Sequence, residues 1–135
     1  MKLINVSHEY TFDSVKRVST EHFNEHNDCA VKAVCLATRT PYDKVHRLFL
    51  DAGRRHRGCT KDEYIFTVLR TLGVHLMEHR EYLPNTVREC ERDLHFGKSY
   101  LIWTRGHILA MINGVVQDWT NGRRHRPKKI YMVCK

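Results

Sequence analysis

The feature that most constrains this chain lies in its last third, where His107-Ile-Leu-Ala-Met-Ile112, Asn113-Gly114 and Val115-Val-Gln-Asp-Trp119 follow one another. Asn-Gly suits a type I′ turn, which needs positive φ at both central residues and matches the twist of the strands it joins. The spacing predicts a β-hairpin with Ile112 opposite Val115. Counting outward, Leu109 faces Asp118 and His107 faces Thr120. Side chains alternate across a strand, so His107, Leu109, Asp118 and Thr120 share one face. His107 and Asp118 are then diagonal cross-strand neighbours, about 7 Å apart at the backbone. A β-rich run, Ser99–Thr104, precedes the hairpin, and a closing strand, Ile130–Cys134, follows the loop Asn-Gly-Arg-Arg-His-Arg-Pro-Lys-Lys at 121–129.

Upstream the apolar period changes from two to 3.6. Ala30, Val31, Ala33, Val34, Cys35 and Ala37 predict a largely buried helix, with Asn27 or Asp28 as its N-cap and Cys29 in its first turn. Thr40-Pro41 predicts a second helix, Thr40 capping and Pro41 at the first helical position, with Tyr42, Val45, Leu48 and Phe49 inward and Gly53 at its end. Thr60-Lys-Asp-Glu63 reads as a capping box for a third helix, with Tyr64, Ile65, Val68, Leu69 and Leu72 inward and a stop at Gly73. Residues 74–79 read as a strand and 84–94 as a short polar helix. Residues 1–27, polar and mixed, predict a short strand or an irregular arm. Helices followed by an antiparallel sheet make an α+β fold. With 135 residues and no linker, 1–135 reads as a single domain.

No apolar run approaches the roughly 20 residues of a membrane span, and the N-terminus carries no signal-like segment, so no membrane partner is expected. Five cysteines, an odd number without a secretion signal, argue for a reducing compartment, hence a cytoplasmic protein, rather than a disulfide framework. Cysteine and histidine fall in isolated pairs, Cys59 with His56 and Cys29 with His26, with no paired Cys-x-x-Cys, so neither zinc nor another cofactor is expected. Met77, Met111, Met132 and Trp119 read as core.

The chemistry-bearing residues are Cys29 and His107. The thiolate is the nucleophilic form of cysteine, and a helix N-terminus stabilises it. Such a nucleophile needs a base, and the base needs an orienting group. The hairpin supplies His107 as base and Asp118 as the carboxylate that fixes its tautomer. Asp28, beside Cys29, would raise the thiol pKa unless its side chain turns away.

Asn27-Asp28-Cys29-Ala30 opening a helix, Gly106-His107 opening a late strand, and Asp118-Trp119 ending the next strand together resemble papain-like cysteine peptidases. The closer likeness is to compact members, the bacteriocin-leader-processing peptidases and the Asp-Cys-Gly pattern of ubiquitin-like-protein proteases, with Ala30 here in place of that Gly. Small phage proteins are similar through N-D-C-x-x-x-A and G-H-x-x-A-x-x-x-G-x-x-x-D. The likeness spans residues 24–119. It implies a papain-like fold, a Cys29–His107–Asp118 triad and a thiol hydrolase cleaving a peptide, isopeptide or related amide bond, within a bacterial host cell if phage-encoded. It also implies an amide side chain for the oxyanion, usually Gln six residues before the Cys. That position is Phe23 here, so the amide falls to Asn24, with Asn27 as the alternative.

A formal net charge of +8 favours an acidic partner. Arg-Arg-His-Arg occurs twice, at 54–57 and 123–126, each time after a glycine. Arg54, Arg55, Arg57, Arg123, Arg124 and Arg126 are the candidate contacts to an acidic protein or peptide substrate or to a nucleic-acid backbone. A binding module with this basic surface and no activity is the alternative to the hydrolase.

Overall fold

A computed structural model describes residues 11–79, 83–119 and 124–134. The chain is α+β, with five helices and a five-stranded antiparallel sheet among these residues. The helices are α1 (Phe12–Phe23), α2 (Cys29–Thr38), α3 (Tyr42–Ala52), α4 (Asp62–Thr71) and α5 (Val87–Asp93). The strands are β1 (His75–Glu78), β2 (Ser99–Thr104), β3 (His107–Ile112), β4 (Val115–Gln117) and β5 (Lys129–Cys134), in the order β1-β5-β2-β3-β4. None of the helices is long and apolar enough to cross a membrane.

Helix α2 is the hub of the fold. Eight of its ten residues are buried, and it packs between the sheet, chiefly β3, and helices α1 and α3. Its alanines bring the backbones close, and Val31, Val34 and Leu36 fill the space with Leu101, Ile108 and Ala110 from the sheet. The opposite sheet face is also covered. Tyr100, Ile102, Leu109, Met111 and Ile130 pack there with Val87, Cys90 and Leu94 from and just after α5. A sheet buried on both faces explains why β2 and β3 read as continuous apolar runs rather than alternating ones.

The expected hairpin is present in the expected register. Ile112 pairs with Val115, and Met111 with Val116. Asn113 (φ 51) and Gly114 (φ 79) both take the left-handed conformation that a type I′ turn requires. A Cβ at Gly114 would also lie 2.8 Å from the Phe96 ring, so glycine is needed there twice over.

Several local expectations are corrected. Residues 12–23 form a helix, not a strand or arm, closed by a Thr11–Ser14 capping box. Thr40 does not cap α3. The helix starts one residue later with Pro41 as N-cap, and the Thr40 hydroxyl bonds Thr38 instead. The Thr60–Glu63 box does not form either, because α4 is preceded by Lys61 and the Thr60 hydroxyl accepts a bond from Arg54. Met77 lies on edge strand β1 and is 58% exposed, so it is not core.

Candidate active site

The N-terminus of α2 reaches the end of the sheet where β3 begins. Cys29, the first residue of the helix, therefore meets His107, the first residue of the strand. The thiol is half-buried and interacts with the His107 side chain and with the backbone N–H of Ile108. Burial opposes its ionisation. The His107 and Ile108 hydrogen bonds, with the positive charges of His107 and Lys32, outweigh burial and hold the thiol below its ordinary pKa. The unpaired N–H groups at the start of α2 act in the same direction.

His107 is held from the other side by Asp118, with Nε2 2.8 Å from Oδ2. Asp118 follows the last residue of β4 and is 4% exposed at its side chain. The diagonal relationship counted from the turn thus places the two groups in contact. Burial works against charge on the imidazole, but the hydrogen bonds and charges of Asp118 and Cys29 prevail and raise its pKa to about 9. A lowered thiol beside a raised imidazole favours the thiolate–imidazolium pair at neutral pH.

Asp28, immediately before the nucleophile, turns inward. It is fully buried and accepts hydrogen bonds from Ser19 Oγ at 2.6 Å, Lys32 Nζ at 2.7 Å and Tyr42 Oη at 2.5 Å. Burial disfavours its charge, yet these donors and Lys32 hold the carboxyl below its usual pKa. Its negative charge is matched by Lys32 one turn along α2, so it does not burden the thiolate.

The 24–28 segment that presents Cys29 is fastened from beneath by Glu25. Arg54 grips this carboxylate with two parallel bonds, 2.9 and 3.0 Å, and also donates to the Asn27 carbonyl at 3.2 Å. His46 Nε2 stands 2.6 Å from Glu25, and the Arg57 N–H adds a bond at 3.1 Å. Burial resists the Glu25 charge, but Arg54 and His46 bring its pKa down to about 2. Arg54 is therefore a buried structural residue, its side chain 0% exposed, and cannot be a docking contact as its Arg-Arg-His-Arg setting suggested. Arg55, Arg57, Arg124 and Arg126 are exposed, while Arg123 lies outside the described residues.

Among the described residues, Glu25, His46 and His56 bring three metal-type ligand atoms within 4.8 Å of one another. Each already has a partner. Arg54 occupies both carboxylate oxygens, and His56 Nε2 donates to the Phe23 carbonyl at 2.7 Å. A cation there would face a buried guanidinium, so the cluster reads as structural.

Cys29, His107 and Asp118 open onto one cavity of about 270 Å³. Phe12, Lys16 and Lys32 form its helical wall, and Trp119 also lines it. Trp119 is 53% exposed and lies 5.6 Å from the His107 ring, which corrects its reading as core. The amide that lines the cavity is Asn27. Asn24, expected first for the oxyanion, is the exposed left-handed C-cap of α1 and is absent from the lining. Of the remaining thiols, Cys35 and Cys90 are buried and pushed up to about 12 by burial.

Phe12, Lys16 and Glu25 had no role in the sequence reading, and Arg54 was read there as a docking contact. The first two sit on a helix whose pattern is weak. The last two depend on a contact across 29 residues. No protein-family model matches this sequence, and neither a curated protein nor a solved structure matches it.

Proposed function

We propose that this chain is a papain-like thiol hydrolase, acting on a peptide, isopeptide or related amide bond. The observation that carries the reading is the continuous contact Cys29–His107–Asp118 at the mouth of one cavity, with the nucleophile on a helix N-terminus. Five free thiols fit a chain that works under reducing conditions.

In this mechanism the Cys29 sulfur attacks the carbonyl carbon, and the carbonyl electron pair moves onto oxygen. The Cys29 backbone N–H is one donor to that oxyanion, and the Asn27 amide, which lines the cavity and now has Nδ2 3.9 Å from Cys59 Sγ, would turn to be the second; Asn24 would have to move into the cavity to serve. Collapse of the intermediate breaks the C–N bond. His107 gives a proton to the departing amine and leaves a thioester on Cys29. Water, deprotonated by His107, attacks the thioester carbon; the C–S bond breaks, the acid leaves, and Cys29 returns as a thiolate beside the protonated His107. Asp118 keeps its bond to Nε2 throughout, so the other ring nitrogen, Nδ1, handles the proton.

Iodoacetamide labelling against pH, read by mass spectrometry, tests this reading. Cys29 is expected to label selectively well below pH 8, and His107→Ala is expected to abolish that selectivity. If Cys29 labels no faster than the exposed Cys59, and indifferently to His107, Cys29 is a structural cysteine and the reading fails.

A further inference from the structure

The wall of the catalytic cavity formed by α1 and α2 is cationic, and its charges are not all matched. Lys16 and Lys32 each place Nζ 5.9 Å from the centroid of the Phe12 ring, which itself lines the cavity. Two ammonium groups therefore lie over one aromatic ring that lines the cavity with Cys29. Lys32 is committed to Asp28 at 2.7 Å. Asp118 is likewise committed to His107. Once these pairs are matched, Lys16 and the Cys29 thiolate remain. Lys16 is exposed and has no carboxylate among the described residues within ion-pair distance.

The thiolate loses its charge as its sulfur bonds to carbon, whereas Lys16 keeps its own. In an acyl-enzyme, once His107 has passed its proton to the leaving amine, the cavity carries the positive charge of Lys16 on the α1 wall and, beside the neutral His107, the negative charge of the buried Asp118 carboxylate. The indole of Trp119, half-exposed and uncharged, also lines the cavity, 5.6 Å from the His107 ring.

We propose that Lys16 selects substrates with a carboxylate next to the bond that Cys29 attacks, so that the chain acts on acidic peptide segments. This rests on Cys29 being the nucleophile. The carboxylate lies against the α1 wall, near Lys16 and the Phe12 ring, and the neighbouring apolar part of the segment lies on Trp119. The net charge of +8 adds a long-range attraction for the same substrates.

The test compares alkylation of Cys29 by iodoacetate and by iodoacetamide. In both, the sulfur displaces iodide from the same CH₂ carbon: an S–C bond forms, a C–I bond breaks and iodide leaves. The reagents differ in the charge beside the reacting carbon. The iodoacetate-to-iodoacetamide rate ratio is expected to fall about threefold in Lys16→Ala and about tenfold in Lys16→Glu, with the difference shrinking as salt is raised. Arg17→Glu makes the same charge change one residue along α1, off the cavity lining, and is expected to leave the ratio alone. A ratio that ignores Lys16→Glu while Cys29 still reacts in a His107-dependent way overturns the selection by Lys16 and spares the hydrolase. An equal response to Arg17→Glu would reduce the effect to net charge, which also overturns it. A Cys29 inert to both reagents would sink both ideas together.

Discussion

His107 bonds Asp118 through Nε2, and this leaves Nδ1 as the ring nitrogen for Cys29. The carboxylate therefore does two things. It fixes which face of the ring meets the sulfur, and it supports the imidazolium that accompanies a thiolate. Between the ordinary pKa of histidine and that of cysteine, an unfolded chain holds one proton on the thiol and none on the ring. As a thiolate–imidazolium pair, the folded site holds one on the ring and none on the sulfur. The proton count is equal in both states, so the pair adds little pH dependence to stability across neutral pH. Its signature lies in the thiolate itself.

Replacing Asp118 with Asn keeps an acceptor for Nε2 but removes the charge. Burial, which lowers the His107 pKa, is then opposed by Cys29 and an uncharged acceptor, so the value should drop from about 9 toward the ordinary range. The thiol loses its cationic partner and titrates higher. Thiolate ultraviolet absorbance, followed against pH, is expected to show its midpoint shifted upward. Labelling of Cys29 at neutral pH should slow by roughly tenfold or more. An unmoved midpoint would mean that Asp118 orients the ring without tuning it.

Glu25 and Arg54 make a stability prediction of opposite character. The Glu25 carboxyl, near 2 in the folded chain, ordinarily titrates at 4.5. A depressed pKa contributes stability that is present above the unfolded value and lost as pH falls toward the folded one. The contribution is about 3 kcal/mol at neutral pH and should disappear progressively between pH 4.5 and 2. Urea denaturation across this window checks it, with Glu25→Gln losing that part of the acid dependence. Arg54→Ala, which strands a buried carboxylate, should cost about 3–5 kcal/mol. Arg54→Lys should recover little, since an ammonium cannot make the two-pronged contact. A cost under about 1 kcal/mol for Arg54→Ala would show that the 24–28 segment does not depend on this clamp.

These two clusters differ in how far the sequence disclosed them. The hairpin register was readable because Asn113-Gly114 fixes both turn type and pairing, and everything up to His107 and Asp118 follows by counting. Helix α2 was readable because its apolar residues are dense. Helix α1 was not, because its inward stripe, Val15 and Val18 toward Phe23, is interrupted by Ser19. That serine looks polar and exposed in sequence, yet it is buried as a donor to Asp28. Arg54 was misread for a related reason. An arginine in a basic tetrapeptide looks solvated until Glu25, 29 residues earlier, is known to meet it. The same contact takes the Thr60 hydroxyl and undoes the capping box expected at α4. Local rules failed where a distant polar partner claimed a side chain that they had assigned to a neighbour.

Trp119 offers the most direct optical view of the site. Strand alternation placed it opposite Asp118 and in the core, but β4 ends at Gln117, so alternation no longer governs residue 119. The indole turns to the cavity, 5.6 Å from His107 and inclined at 49° to its ring. A protonated imidazole at this range quenches indole emission, and a neutral one quenches less. Raising the pH through about 9 should therefore brighten Trp119, and His107→Ala should remove the step. The other indole, Trp103, is buried with its N–H on Asp62 at 3.0 Å, away from the cavity lining, and serves as the constant background. Subtracting the spectrum of Trp119→Phe isolates the signal, and this variant should stay within about 0.5 kcal/mol of the parent because the ring is half-exposed. A step that persists in His107→Ala would assign the quenching to another group. A step displaced to a lower pH in Asp118→Asn would instead tie the emission to the same proton that holds the thiolate.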